Sequence, residues 1–201
     1  MSSKRIAVLV SGGGTNLQAL IDAQKAGQLG GGEIVAVLSS KEGAYALERA
    51  AKAGIPGFVL PRKSFPDNGA MTRAIVDERP SLQVDLVALA GFLHILTGEI
   101  VAAYPNAILN VHPALIPSFC GAGAYGLHVH EQALAYGVKV TGATVHFVNE
   151  VCDGGRIIAQ KAVEVAEGDT PETLQRRVME QAEWQLLPAA LAKVCAEYDK
   201  G

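Results

Sequence analysis

The chain has 201 residues, 49% of them hydrophobic, enough for one domain of ordinary size with a real core. Its formal net charge is −3 with Lys and Arg scattered, which excludes a massed polyanion-binding surface and argues against nucleic acid as a partner. Three cysteines, odd in number and without CxxC spacing, read as reduced thiols rather than a disulfide framework.

The first apolar run, RIAVLV over residues 5–10, is too short for a signal-peptide core or a membrane span, so a cytoplasmic protein with no membrane partner is expected. It reads as a buried strand and runs into SGGGTN, residues 11–16, ahead of a helical pattern carrying Leu17, Leu20 and Ile21. Strand, glycine-rich turn and helix outline a phosphate cradle, because glycines bring backbone N–H groups close to an anion and a helix start adds about half a positive charge. A tight turn without a ligand is the plainer alternative. GxGxxG would need glycine where Leu17 stands, a GK[ST] is missing, and no acid follows the second strand (33–38) to hold a ribose. A single phosphate monoester fits better than a dinucleotide.

A helix near 45–53 closed by Gly54, a short strand at 57–60, a helix over about 68–79 and an apolar strand at 86–90 continue the alternation. FLHIL, residues 92–96, follows Gly91, and its apolar side chains around His94 suit a slot for a flat heterocycle or, equally, a loop covering the core. Thr97 is placed to cap a helix over 98–104. Next comes AILNVHPALIP, residues 107–117, where polar Asn110 and His112 interrupt a buried-strand pattern just before Pro113. Two residues apart, they project from one face about 7 Å apart along the strand, at the carboxyl end where open parallel sheets bind ligands. An amide donor and an imidazole aimed at one spot suit a reaction in which a carbonyl oxygen gains charge while a proton moves.

Residues 114–126 form a long loop rich in glycine, of the kind that usually serves function. The helix after it carries His128, His130 and Glu131; histidines at i, i+2 do not share a helix face, so this reads as a solvated helix start and not a metal site. A strand over 140–148 places His146 in alternation with Thr144 and Val148, either facing the same site or satisfied structurally. Asp153-Gly154-Gly155 makes a turn into a strand over 156–165. Thr170, with Pro171 at the first helical position, starts a last helix expected to run to about Tyr198.

Taken together, SGGGTN, AGFLHIL, ILNVHPALIPSF, HEQAL, VTGATVHFV and DGG, in this order and spanning nearly the whole chain, resemble the folate-dependent formyltransferases, and within them those that act on glycinamide ribonucleotide. The resemblance implies an α/β fold, a mostly parallel central sheet flanked by helices on both faces, of the Rossmann-like formyltransferase type. It implies one domain over 1–201, with phosphate and nucleotide binding in about 1–100 and catalysis and folate binding in about 101–201. The activity implied is transfer of a formyl group from 10-formyltetrahydrofolate to the glycinamide amine of glycinamide ribonucleotide in purine synthesis, without a metal. Asn110, His112 and Asp153 would be the catalytic trio, with His146 in support. Gly13, Gly14, Thr15 and Asn16 would hold the substrate phosphate. Leu93, His94, Ile95, Leu96, Asn110, Val148, Asn149, Glu150 and Val151 would border the folate. Asp153 is expected to raise the His112 pKa. Departures from the family pattern are His94 for a frequent Arg, and Cys120 and Arg156 for frequent prolines.

Three rivals remain at this level. A formyltetrahydrofolate deformylase would carry a further N-terminal domain, for which a first strand at residue 5 leaves no room. A tRNA formyltransferase would carry a basic C-terminal domain. A noncatalytic module would bind a phosphorylated metabolite through SGGGTN and turn nothing over. The assembly expected is a monomer or homodimer acting on small molecules alone.

Overall fold

A computed structural model describes residues 3–77 and 82–197. Seven strands form one sheet in the order β3-β2-β1-β4-β5-β6-β7. β1 (Lys4–Val10), β2 (Gly32–Ser39), β3 (Gly57–Val59), β4 (Leu86–Leu89) and β5 (Ile108–His112) pair in parallel. β6 (Val140–Phe147) and β7 (Ile157–Glu164) then reverse, each antiparallel to the strand before it. In β1 every residue from Ile6 to Val10 is buried, and all of β4 is. Since alternate residues face opposite sides of a sheet, both faces of its middle are covered.

Helices do the covering, so the expected α/β class, parallel core and flanking helices are observed. α1 (Thr15–Lys25) packs beside α2 (Tyr45–Lys52) and the C-terminal helix; α3 (Asn68–Asp77) packs against α4 (Gly98–Ala103). The predicted third helix extended to residue 79, and that end lies outside the described residues. α5 (Leu127–Tyr136) follows the long loop and meets α6 (Pro171–Val178).

One local expectation needs correction and another refinement. Thr97 stands at the N-cap of α4 but makes no capping bond. Its hydroxyl donates to Glu99 (3.0 Å), which draws the oxygen away from the helix N–H groups. The last helix is helical throughout Pro171–Glu197 but not regular: α6 passes through a wide π-type turn at Met179–Glu183 into α7 (Trp184–Glu197). Pro188, inside α7, has no N–H for the carbonyl four residues earlier, and the chain widens one turn ahead of it. The predicted end at Tyr198 lies outside the described residues. At the other end Thr170 does cap α6, in a reciprocal box with Thr173.

Candidate active site

β5 ends where the sheet changes direction, its neighbours being the carboxyl end of parallel β4 and the body of antiparallel β6. Asn110 stands opposite His146 and His112 opposite Thr144 across the β5–β6 ladder. Asn110 Nδ2 lies 3.2 Å from His146 Nε2. His146 Nδ1 is 2.8 Å from the Phe147 carbonyl, which only accepts, so Nδ1 donates there and Nε2 is the ring nitrogen that faces the Asn110 amide as acceptor. That fixes the amide: one N–H points to His146, and the other reaches Asp153 Oδ1 only at 3.5 Å, the limit of a hydrogen bond.

Asp153 comes from the turn between β6 and β7, with its backbone in the left-handed region (φ 55°). The glycines after it are there for closeness: a Cβ on Gly155 would lie 1.7 Å from the Phe147 carbonyl oxygen, and one on Gly154 2.6 Å from Val151 Cγ1. The turn thereby lies flat on β6 and carries the carboxylate over the strand ends. Asp153 Oδ2 accepts from the Gly121 N–H (2.9 Å) and faces His112 Nδ1 at 3.6 Å; Oδ1 faces His146 Nε2 at 3.6 Å. Burial raises the carboxyl's pKa, but the closeness of His146, the bond from the Gly121 N–H and the neighbouring His112 together outweigh it and hold it below the ordinary value.

His112 Nε2 is 2.8 Å from the Phe119 carbonyl and must donate to it, which leaves the Nδ1 lone pair toward Asp153 in the neutral form. The loop that brings Phe119 there is tied down: Thr144 Oγ1 donates to the Ala114 carbonyl (2.7 Å) and accepts from the Ile116 N–H (3.1 Å), and Gln160 donates to the Ile116 carbonyl (3.0 Å). Asp153 raises the His112 pKa, as expected, but it does not decide the net shift. Burial is the largest influence and lowers it; Asp153 and the Phe119 carbonyl raise it; His146 lowers it again, and the net displacement is downward. His112 is 4% exposed, and that removal from water is what the bare sequence does not display.

These groups share a cleft of about 510 Å³. Every residue that the resemblance implies for the site lines it: Gly13, Gly14, Thr15 and Asn16; Leu93, His94, Ile95 and Leu96; Asn110, His112 and His146; Val148, Asn149, Glu150, Val151 and Asp153. Leu93, Ile95 and Val151 are exposed, an apolar rim suited to a flat apolar body. Across the cleft, the backbone N–H groups of Gly12 through Leu17 have no backbone acceptor among the described residues, Gln18 being the first to find one, at the Gly14 carbonyl. A larger hollow of about 790 Å³ between α1 and α7 contains none of the trio. Among the described residues no group of three metal-ligating side chains forms, and no helix is long and apolar enough to cross a membrane.

Several cleft residues escaped the sequence reading. His130, read as part of a solvated helix start, is 0% exposed with both ring nitrogens unpartnered, and burial, then the charge of His112, lowers its pKa to about 4. Of the two histidines on that turn only His128 is solvated, paired with exposed Glu131 at 2.7 Å. Glu183, swung inward by the π-type turn, accepts from Asn16 Nδ2 at 2.7 Å, and burial pushes its carboxyl up. The signal that could have found Glu183 is Pro188 five residues on, which marks an irregular turn. Cys120 and Cys152 flank Asp153, but burial, then its charge, raises both thiols, which suppresses the reactive thiolate.

An α/β sheet whose switch in strand direction gathers an amide, an imidazole and a carboxylate beside a donor-rich glycine loop defines a class of group-transfer enzyme, and this chain belongs to the formyl transferase family, whose pattern matches residues 4–191. It is 41% identical over 195 residues to the chloroplastic phosphoribosylglycinamide formyltransferase of Arabidopsis thaliana, covering 96% of this chain and 66% of that one. It is 46% identical over 193 residues to the trifunctional purine biosynthetic protein adenosine-3 of Bos taurus, covering 96% of this chain but 18% of that protein. The chain thus spans just under two thirds of the plant relative and a small part of the bovine one. The crystal structure of glycinamide ribonucleotide transformylase 1 from Symbiobacterium toebii superposes with a TM-score of 0.91 at 41% identity, covering 99% of this chain and 92% of that chain.

Proposed function

We propose that the chain transfers a formyl group from 10-formyltetrahydrofolate to the glycinamide amine of glycinamide ribonucleotide, a step of de novo purine synthesis. The observation that carries the reading is the convergence of Asn110, His112 and Asp153 in one cleft with the unpartnered N–H groups of the glycine loop. The names of the relatives point the same way. On this reading residues 1–100 supply the phosphate end and one side of the folate wall, and residues 101–201 the chemistry and the other side, within one domain. Gly13, Gly14, Thr15 and Asn16 bind the phosphate through backbone N–H groups and the helix start. The apolar rim from Leu93 to Leu96 and the segment from Val148 to Val151 receive the pterin. The substrates are small molecules, met in the cytoplasm, with no nucleic acid, membrane or metal taking part.

The chemistry follows from the atoms. The amine attacks the formyl carbon and the carbonyl oxygen becomes negative. The second Asn110 N–H, hardly engaged by Asp153, donates to that oxygen; one such donor is worth about 2.7–4 kcal/mol. Neutral His112, favoured by its lowered pKa, accepts the amine proton at Nδ1, and the imidazolium so formed gains the Asp153 carboxylate as neighbour. The same proton then passes to the leaving folate nitrogen. His146 holds the Asn110 amide in the orientation this requires.

A spectrophotometric assay with 10-formyltetrahydrofolate, run with and without glycinamide ribonucleotide, tests the reading. Loss of formyl only with the nucleotide, accompanied by formylated nucleotide, is expected. Loss without it would make water the acceptor, and no loss at all would leave a binding module.

A further inference from the structure

α2 is in none of the roles above, yet it backs directly onto the glycine loop. A Cβ on Gly14, which sits at φ 71°, would lie 2.6 Å from Ala46 Cβ. Ala46 N–H donates to the Gly12 carbonyl (3.2 Å), and Arg49 Nε donates to the Gly13 carbonyl (2.9 Å). Arg49 Nη1 also donates to Gln18 Oε1 on α1 (3.0 Å), and its guanidinium lies 4.9 Å from the centre of the Tyr45 ring. A peptide plane carries its N–H and C=O on opposite sides, so tying both carbonyls back to α2 turns the following N–H groups outward. It also withdraws two negative oxygens from an arriving anion. The N–H groups from Gly12 to Leu17 have no backbone acceptor among the described residues. Arg49 lines the hollow behind the loop and not the cleft itself, so it works through the loop.

We propose that Arg49 is a positioning residue that sets the Gly12–Gly14 loop for a phosphate monoester and makes the site prefer the phosphorylated substrate. The inference rests on the reading above that this loop receives the substrate phosphate. Its charge stands behind the loop while its fork joins the loop to α1. Lysine could reach one of those oxygens but not both in the fixed arrangement a guanidinium provides.

The test uses the whole chain with Arg49→Met and Arg49→Lys. Two readouts are taken: steady-state kinetics with glycinamide ribonucleotide, and the melting temperature with inorganic phosphate against chloride at equal ionic strength, which needs no turnover. Phosphate is expected to raise the wild-type melting temperature, and Arg49→Met to lose most of that rise. In Arg49→Met the KM for the nucleotide should increase by about tenfold or more, with kcat and the KM for the folate close to wild type, and Arg49→Lys should fall between. A wild type indifferent to phosphate overturns the proposal. So does an Arg49→Met protein with unchanged nucleotide KM and phosphate response, or one in which kcat alone falls. Should Arg49→Met not fold, Arg49→Lys decides by the same two readouts. Absence of formyl transfer in wild type, with a phosphate response that Arg49→Met abolishes, would sink the formyl-transfer reading and leave the clamp standing.

Discussion

His112 shows how neighbours compete at a single side chain. Its Nε2 is committed to a carbonyl and its Nδ1 to a carboxylate, and both favour the imidazolium, yet burial prevails and its pKa falls below 6.5. We expect NMR titration of the imidazole to give a midpoint under 6.5, and a lower one still in Asp153→Asn; a wild-type midpoint above 6.5 would refute the balance. His130 adds a stability effect. Between its folded pKa of about 4 and the unfolded value of 6.5, the unfolded chain binds a proton that the folded chain refuses, so the stability it contributes is present above pH 6.5 and lost as pH falls toward 4. His130→Phe should therefore lose less stability than wild type between pH 7.5 and 5, read as urea midpoints; equal losses would contradict this. Asn110 and His112 were legible in the sequence because polar residues in a buried strand stand out. His130 and Glu183 were not, since a polar residue on a helix looks solvent-facing until its neighbours are known.

At the scale of elements, strand and helix positions followed from apolar runs and breakers, while direction and irregularity did not. VTGATVHFV announces a strand but not that β6 opposes β5. The reversal into β7 was more accessible, because the short DGG connection leaves no room for the crossover a parallel pair needs. The wide turn at Met179–Glu183 depends on where Pro188 falls inside a packed helix, and a helical periodicity runs straight through it. The Asp153 turn yields the sharpest expectation of this kind. Gly155→Ala places a methyl against the Phe147 carbonyl and pushes the turn off β6. It should cost about 1–3 kcal/mol of stability and lower turnover at least tenfold, because the carboxylate leaves His112. Chemical denaturation and kinetics on the same sample would check it, and a stable, fully active variant would show that the turn does not position Asp153.

Across the whole molecule, the sheet edge brings together segments far apart in the chain: the loop after β1, the loop after β4, the end of β5, the β6–β7 turn and the π-type turn. The motif order and the resemblance it supports named most of the cleft, but the distances that decide roles came only with the fold. A net charge of −3 does not argue against the proposed phosphate site, because backbone donors without backbone acceptors and a guanidinium behind them act locally where the overall charge does not. The central claim is that Asn110 stabilises the charge that develops on the formyl oxygen. The most direct measurement is kcat of Asn110→Ala with both substrates saturating, beside its melting temperature and both KM values. A fall in kcat of about a hundred- to a thousandfold, with binding and folding close to wild type, is the predicted result. A kcat within about threefold of wild type would contradict the account, since no other side-chain amide in the cleft is held within reach of both His146 and Asp153 among the described residues.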